Sequence, residues 1–428
     1  MPATRQIALP FGTDSIAVSI HGDLIVPRQI SPLADEVAAV QQAIDRPIGS
    51  LTLDKIVKPG ERVAIVVNDI TRLTRAELLL PPLLATLNQA GIPDRDIFIV
   101  FALGIHRPQT PAEQRQIVGE TVAARIRMFD HICTDDASLV MIGVTSFGNV
   151  VEINREVWEA DRIILTGEII YHLIAGYSGG RKSLVPGVAG FRTTTFNHRM
   201  IFDPRSRPGV LDGNPAHEDL LEGCRMADPD FILNVVLTPE GQLARVVAGH
   251  YDLAHREGCR AVDSISRCDV AEPYDLIVAS AGGFPLDIDL RQAHKGLENA
   301  CMALRPGGSI LFFAECPNGA GIQSFKDFVY RYDDEFEMRK ALEKDFVVGG
   351  HKAFWIARLG RLYDVHLVST CDAEFVARCH FQHVPVEQHA VALQKLLAKH
   401  GRQARVGVIP YAGFTLPSCD KVAEAVTH

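Results

Sequence analysis

The 428-residue chain lacks the marks of several large classes of protein. Its nine cysteines are scattered and form no CxxC pair, which argues against a zinc ribbon and a thioredoxin-type site. With a net charge of −9, the chain has no excess of basic residues for general nucleic-acid binding. No uncharged apolar run reaches the roughly 18 residues of a membrane span. Because an irregular set of cysteines suits a reducing compartment, we expect a cytoplasmic protein that binds neither nucleic acid nor membrane.

The chain does contain short runs rich in Val and Ile that alternate with helical patterns. In the first half, strands are expected at 62–69, 97–103, 162–167 and 231–238, with helices near 76–90, 111–120 and 251–267. In the second half, strands are expected at 274–280, 309–315, 364–370 and 405–410, with a helix near 291–305. Such alternation predicts an α/β fold with largely parallel sheets. Residues 1–30 differ, because short strands between Pro and Gly turns predict an antiparallel addition.

A chain of this length exceeds one average core, so we expect more than one domain. The polar stretch 264–273 is a candidate boundary, because a new strand pattern starts directly after it. We therefore divide the chain into an N-terminal domain, residues 1–270, and a C-terminal α/β domain, residues 271–428. This division leaves the last segment free to pack back on the N-terminal domain.

The glycine-rich segment 177–190, YSGGRKSLVPGVAG, is the most informative part of the chain. Gly179 and Gly180 let the backbone approach an anionic group, and the segment also carries a hydroxyl and a cation. A P-loop would need glycine where Arg181 stands, so that interpretation fails. Lys182 can act as a phosphate-binding point charge or, once deprotonated, as an amine nucleophile that takes a covalent cofactor. An ordinary solvated basic turn is the alternative.

Polar side chains follow several predicted strands at the point where each strand ends. Four such clusters occur, at residues 68–72, 104–108, 168–172 and 281–296. Each has an ordinary explanation on its own: Asp69 can cap a helix, Arg72 can form a surface ion pair, and His106 can lie in a turn. Ligands of open α/β sheets bind beyond the carboxyl ends of the strands. The common placement of the clusters therefore favours a functional site.

Taken together, these segments are similar to those of the nickel-dependent lactate racemase family. The resemblance covers most of the chain and rests on DITR (69–72), GIHRP (104–108), the segment around His172, GGRKSLVPG (179–187), NHRM (197–200) and QAHK (292–295). It implies two α/β domains with a cleft between them that holds a nickel-pincer nucleotide. This cofactor is nickel pyridinium-3,5-bisthiocarboxylic acid mononucleotide, whose two sulfur-bearing arms bind the metal. The enzymes of cofactor biosynthesis would then be partners.

The resemblance also implies a role for each candidate residue. Lys182 would hold the cofactor through a thioamide bond, and His198 would supply an imidazole ligand to Ni(II), which accepts imidazole in square-planar sites. His106 and His172 would form the acid/base pair. The substrate carboxylate and hydroxyl would be held by Arg72, Gln292 and Lys295. The nucleotide would lie near Asp69, Thr71, Ser178, Gly179 and Gly180.

The implied reaction is racemisation of a 2-hydroxy acid. Removal of the C2 hydrogen as hydride leaves a planar 2-keto acid, which can be reduced again from either face. Acid/base groups must then serve both orientations of the hydroxyl. Each histidine would take the hydroxyl proton from one enantiomer, because an unperturbed imidazole gains and loses protons near neutral pH.

One residue departs from the family pattern. Lactate racemases carry Tyr directly before the glutamine of the QAHK motif, whereas this chain has Arg291. A guanidinium beside a small-acid pocket is costly to bury unless an anion meets it, which favours a dicarboxylic substrate, malate, over lactate. The alternative is that Arg291 turns outward or pairs with Asp287 or Asp289.

Other functions stay open beside a 2-hydroxyacid racemase. An epimerase of sugar acids such as aldonates could use the same cofactor and bind extra hydroxyls with its Arg, Gln and His groups. A kinase is disfavoured by the failed P-loop spacing. A non-catalytic nickel or cofactor carrier would need Lys182 and His198 only. The additional groups His106, His172 and Arg72 are what favour an enzyme.

Overall fold

The computed structural model describes residues 4–28, 30–347, 349–419 and 421–422. The chain separates into two compact units. The inserted unit spans Gln29–Ser264, and the terminal unit combines the residues up to Arg28 with those from Ile265 onward. The division predicted from the sequence put the N-terminal residues with the first domain. The structure groups them with the C-terminal half instead.

The N-terminal residues of the terminal unit form three short strands. These are β1 (Arg5–Phe11), β2 (Asp14–Ile20) and β3 (Asp23–Leu24). β1 and β2 pair antiparallel, as the sequence predicts, with Phe11 opposite Asp14 at the turn. Leu9, Val18 and Ile20 are buried on one face of the hairpin, which fits the two-residue period of a half-buried strand.

The inserted unit contains ten strands and nine helices among its described residues. The strands are β4 (Val63–Asn68), β5 (Ile97–Ala102), β6 (Arg127–Asp130), β7 (Leu139–Val144), β8 (Val150–Asn154), β9 (Arg162–Glu168), β10 (Tyr171–His172), β11 (Gly176–Tyr177), β12 (Phe231–Leu237) and β13 (Leu243–Gly249). The helices are α1 (Glu36–Asp45), α2 (Leu53–Ile56), α3 (Ala76–Gln89), α4 (Pro111–Val118), α5 (Glu120–Ala123), α6 (Arg155–Trp158), α7 (Phe191–His198), α8 (Pro215–Ala227) and α9 (Leu253–Ser266), the last of which runs two residues past the unit.

The main sheet of the inserted unit has the order β13-β12-β9-β4-β5-β6. All neighbouring strands are parallel except β12 and β13. The continuous Val and Ile run of β4 is buried throughout because its alternate residues enter two different cores. Val63 and Val67 pack in the core that includes α3, whereas Val66 packs with Leu184 of the glycine-rich segment. The sheet thereby supports that segment.

The rest of the terminal unit contains seven strands and six helices among its described residues. The strands are β14 (Arg267–Asp269), β15 (Tyr274–Ser280), β16 (Leu304–Phe313), β17 (Asp364–Val368), β18 (Gln382–Val384), β19 (Val406–Ile409) and β20 (Leu416–Ser418). The helices are α10 (Leu290–Cys301), α11 (Gln323–Arg331), α12 (Glu335–Lys344), α13 (Gly350–Leu362), α14 (Ala373–Arg378) and α15 (His389–His400).

The main sheet of the terminal unit has the order β18-β17-β16-β15-β19-β3, and every neighbouring pair is parallel. β3 lies beside β19, which places the N-terminal segment in this unit. β20 pairs with β14, so the described end of the chain also lies here. The predicted α/β class with largely parallel sheets is confirmed in both units. No helix of the described residues is long and apolar enough to cross a membrane.

Candidate active site

Three neighbouring strands of the inserted unit end in the polar segments that the sequence singled out. β4 leads into Asp69 and Thr71, β5 leads into the loop of His106, and β9 leads into the hairpin of His172. These strands are adjacent in the order β9-β4-β5, and all run parallel. Their polar ends therefore gather at one edge of one sheet, where open α/β sheets bind ligands.

The glycine-rich segment forms a tight turn at this edge. Gly179 and Gly180 have φ values of +72° and +52°, a region that side chains disfavour. A Cβ on Gly180 would also lie 2.7 Å from the ring of His255. The backbone N–H of Gly180 donates to Oδ1 of Asn234 at 2.7 Å, which fixes the start of the 3₁₀ turn Gly180–Ser183. Lys182 is therefore presented on a rigid backbone.

Ser178 braces the same turn. Its Oγ donates to the carbonyl oxygen of Glu168 at 2.8 Å and accepts the backbone N–H of Ile170 at 3.0 Å. This hydroxyl ties the turn to the end of β9. Its predicted place near a nucleotide stays a prediction.

Asp69 and His106 form a short hydrogen bond. Oδ2 of Asp69 lies 2.6 Å from Nδ1 of His106, and Oδ1 accepts from Oγ1 of Thr71 at 2.8 Å. Burial raises the pKa of Asp69, but the hydrogen bond with His106 and the nearby charge of Arg72 outweigh it, so the pKa lies below the ordinary carboxyl value. The sequence assigned Asp69 and Thr71 to a nucleotide. In the structure Asp69 contacts His106, and Thr71 contacts the carboxylate of Asp69. Their place near a nucleotide stays a prediction.

His172 lies in the β10–β11 hairpin, beside Lys182. Nδ1 of His172 accepts the backbone N–H groups of Ile174 and Ala175 at 3.2 and 3.1 Å. Nε2 lies 3.4 Å from Nζ of Lys182. A separate backbone hydrogen bond, from Gly104 to Gly187, joins the loop of His106 to the glycine-rich segment. The fold thus brings together the segments of both predicted acid/base histidines and of the predicted attachment lysine.

His198 is the last residue of α7. Its Nδ1 donates to the carbonyl oxygen of Thr194 at 2.7 Å, which leaves the lone pair on Nε2 in the neutral ring. That is the form in which an imidazole binds a metal, with the other nitrogen held by a carbonyl. No group of three or more His, Cys, Asp or Glu side chains in the described residues is arranged to hold a metal ion. A metal at His198 would need most of its ligands from a cofactor.

Arg181 is a residue whose role the sequence did not reveal. Its side chain is fully buried, and one guanidinium nitrogen lies 3.0 Å from Nε2 of His255. Burial lowers its pKa to about 10, so it still carries a charge at neutral pH. The residue that breaks the P-loop pattern therefore points into the core beneath the turn. Only its position between Gly180 and Lys182 could have drawn attention to it.

The other predicted substrate residues lie on the first turns of α10, in the terminal unit. Asp289 caps this helix by accepting the N–H of Gln292 at 2.7 Å, and Nζ of Lys295 donates to Oε1 of Gln292 at 2.7 Å. Arg291 approaches Asp289 only at 4.0 Å, and its buried Nε has no hydrogen-bond partner among the described residues. Burial raises the pKa of Asp289 despite the charge of Arg291. Of the two alternatives considered for Arg291, the outward orientation does not describe this side chain, which is 24% exposed, whereas a long ion pair with Asp289 is present.

The sequence matches two described protein families along its length. Residues 11–209 match the lactate racemase N-terminal domain, and residues 270–414 match the lactate racemase C-terminal domain. The chain is 31% identical to the lactate racemase of Lactiplantibacillus plantarum over 420 residues, which cover 94% of this chain and 97% of that protein. It is also 31% identical to the lactate racemase of Thermoanaerobacterium thermosaccharolyticum over 348 residues, 79% of this chain and 81% of that protein.

Solved structures agree with these matches. The lactate racemase apoprotein from T. thermosaccharolyticum superposes with a TM-score of 0.90 at 28% identity and covers 96% of this chain and 100% of its own. A Thermotoga maritima protein superposes with a TM-score of 0.65 at 17% identity, over 90% of this chain and 97% of its own, which shows a common fold. The chain belongs to the lactate racemase family.

Proposed function

We propose that this racemase inverts C2 of a 2-hydroxy acid by reversible hydride transfer, using a nickel-pincer nucleotide attached to Lys182. Membership of the family supports an isomerase that acts on 2-hydroxy acids. The observation that carries the proposal is that an Asp69–His106 pair and a His172–Lys182 pair follow the ends of neighbouring strands of one sheet. A carrier of nickel or cofactor would not need a carboxylate behind His106.

The residues present fit the cofactor. Lys182 offers an amine on a turn where the φ values of two glycines hold the backbone, and His198 has its metal-binding nitrogen set by the carbonyl of Thr194. The chemistry that the cofactor supplies when bound is reversible acceptance of the C2 hydrogen as hydride. We assign cofactor loading to biosynthetic enzymes in the cytoplasm, where the nine cysteines would stay reduced, as in the structure.

The remaining groups prepare the substrate for that transfer. His106 is placed to take the hydroxyl proton, because the carboxylate of Asp69 stabilises the imidazolium that forms. Arg72, with its planar guanidinium, suits the substrate carboxylate and would fix C2. Gln292 and Lys295 are held in a hydrogen-bonded pair on α10, which preorganises an amide and an ammonium for a second polar group of the substrate.

Malate is the favoured substrate because of Arg291. Nη2 of Arg291 lies 4.0 Å from Oδ2 of Asp289, at the outer limit of an ion pair, and the other oxygen of Asp289 accepts the N–H of Gln292. A second carboxylate on the substrate would supply the partner that the buried Nε of Arg291 lacks in the described residues. Lactate, with a methyl group in that place, would leave the donor unpaired.

Co-expression with the cofactor-forming enzymes tests the function directly. Intact-mass analysis should show an adduct on the wild type that Lys182→Ala lacks and Lys55→Ala, an exposed control, retains. The loaded protein should convert one malate enantiomer to the other and show a primary isotope effect with 2-deuterated substrate when chemistry limits the rate. An adduct on another lysine, or rapid exchange of the C2 hydrogen with solvent, would overturn the proposed attachment or the hydride mechanism.

A further inference from the structure

We propose that the two acid/base histidines rest in opposite tautomers, with His106 set as a proton acceptor by Asp69 and His172 set as a donor by its own hairpin. The inference rests on the proposed function for its catalytic meaning. The two hydrogen-bonding states themselves can be measured without any activity. Asp69 is, on this view, a positioning residue for His106 rather than a contact for the nucleotide.

The state of His106 follows from what its Nδ1 meets. The side chain of Asp69 is 4% exposed, and its Oδ2 lies 2.6 Å from Nδ1. An ionised carboxylate can only accept hydrogen bonds, so Nδ1 must carry the proton. The neutral ring then has its lone pair on Nε2. Thr71 adds a hydrogen bond of 2.8 Å to the other carboxylate oxygen, which keeps the carboxylate plane in place.

The state of His172 is the reverse, because its Nδ1 meets two donors. The backbone N–H groups of Ile174 and Ala175 point at this nitrogen from 3.2 and 3.1 Å. An N–H group cannot donate to a nitrogen that is itself protonated, so Nδ1 must hold the lone pair. The neutral ring then carries its proton on Nε2, so its 3.4 Å contact with Nζ of Lys182 is a hydrogen bond only where the amine of Lys182 accepts. Both donors belong to the turn of the β10–β11 hairpin, so they cannot rotate away as a side chain would.

The two enantiomers would therefore meet different groups. A hydroxyl that faces His106 finds a lone pair and can lose its proton at once. A hydroxyl that faces His172 finds an N–H and binds as an acceptor. For that enantiomer to react, the proton of His172 must move to Nδ1, which requires the hairpin turn to release its two N–H groups.

This asymmetry must obey a thermodynamic limit. Mirror-image substrates are equally stable, so kcat/KM has to be equal in the two directions. The two enantiomers can therefore differ only in their separate values of kcat and KM, and both constants must differ by the same factor. The enantiomer that binds to His172 should show a lower kcat and a KM lower by the same factor, because it binds well in a state that cannot react.

Nitrogen NMR of ¹⁵N-histidine-labelled apoprotein tests the tautomers. At about pH 8, well above the unperturbed histidine pKa of about 6.5, neutral rings show separate signals for the protonated and unprotonated nitrogens. Coupling to the ring hydrogens tells Nδ1 from Nε2. His106→Gln and His172→Gln assign the two rings among the 16 histidines by loss of signals. We expect the proton on Nδ1 of His106 and on Nε2 of His172; the same tautomer in both rings would overturn the inference.

Asp69→Asn provides a second test, because the amide of Asn can donate a hydrogen bond to Nδ1 of His106 and so favour the opposite tautomer. His106 should then carry its proton on Nε2, and kcat/KM of the loaded enzyme should fall by about 10³ to 10⁴ equally in both directions. Thr71→Val is the matched control, since it removes a donor to the same carboxylate and should leave the His106 tautomer unchanged. An unchanged tautomer in Asp69→Asn would refute positioning by Asp69. Predicted tautomers in a protein without racemase activity would count against the proposed function alone.

Discussion

Arg181 donates from one guanidinium nitrogen to the carbonyl oxygens of both Ala175 and Tyr177, at 2.8 and 3.2 Å. Ala175 directly precedes the hairpin strand that follows His172, Tyr177 ends that strand, and Arg181 itself precedes Lys182. One fully buried side chain therefore joins the hairpin of an acid/base histidine to the turn of the attachment lysine. A lysine side chain ends one bond short of this nitrogen and lacks the planar fork of arginine, so it cannot reproduce the same contacts.

We expect Arg181→Lys to destabilise the protein although the charge is kept. Lysine would leave at least one of the two carbonyl oxygens buried without a donor, at a cost of about 1–3 kcal/mol in the free energy of unfolding. Chemical denaturation followed by circular dichroism would measure the loss. Arg192→Lys on the exposed face of α7 is the matched control and should change stability by less than about 0.5 kcal/mol. Equal stability of both variants would contradict the bracing role of Arg181.

Nickel retention should separate His198 from the other two histidines. Removing a metal ligand acts on the metal itself, so the nickel content of co-expressed His198→Ala should fall at least about ten-fold. His106→Gln and His172→Gln should keep nickel while turnover falls, because neither is assigned to the metal. Metal analysis of the three purified variants beside the wild type decides this. Equal nickel loss in all three would mean that the ligand has been misassigned.

Substrate preference should depend on Arg291. A missing partner for a charged donor costs on the order of 1.5–3 kcal/mol, so the wild type should favour malate over lactate by roughly 10- to 100-fold in kcat/KM. Arg291→Tyr should erode that ratio. Arg331→Tyr, at the exposed end of α11, is a control that should leave it unchanged. A wild type that prefers lactate, or an aldonate, would show that Arg291 does not select the substrate.

Stability should fall steeply as the pH drops below about 6.5, because several buried histidines are held in the neutral form. Burial, aided by a neighbouring cation, lowers the pKa of His217, His255 and His294. The unfolded chain then binds protons that the native protein cannot, and each such group costs up to about 1.4 kcal/mol per pH unit. The three together would cost about 4 kcal/mol per unit. The loss is absent above the unfolded pKa, where neither state is protonated.

Denaturation curves between about pH 7.5 and 5.5 would measure this slope. His217→Gln should reduce this slope by the amount that corresponds to close to one proton taken up on unfolding. His380→Asn is the control, because His380 is exposed and its φ of +61° is one that Asn tolerates. A slope that His217→Gln leaves unchanged would show that this ring is protonated in the native protein.

The positions of the strands could be predicted from the sequence, but most side-chain contacts at the edges of the sheets could not. The sequence of β4 identifies a strand because residues Val63 to Val67 are apolar without a break. A strand needs such a continuous run when its sheet is covered on both faces. The placement of Asp69 and His106 directly after predicted strands was predictable in the same way. Their hydrogen bond was not, since 37 residues separate them and either could have faced a ligand. The burial of Arg181 was equally hidden, because charged side chains are usually exposed.

The pairing of Asp23 with Gly407, where β3 joins β19, sets an order of events during synthesis. β3 cannot complete its ladder until the roughly 380 residues that separate Asp23 from Gly407 have been synthesised. At about 5–20 residues per second the wait lasts tens of seconds. Meanwhile the inserted unit has all of its own strands and can fold first. The hairpin of β1 and β2 would spend that time with Leu9 and Ile20 uncovered, and exposed apolar side chains of this kind are what chaperones bind.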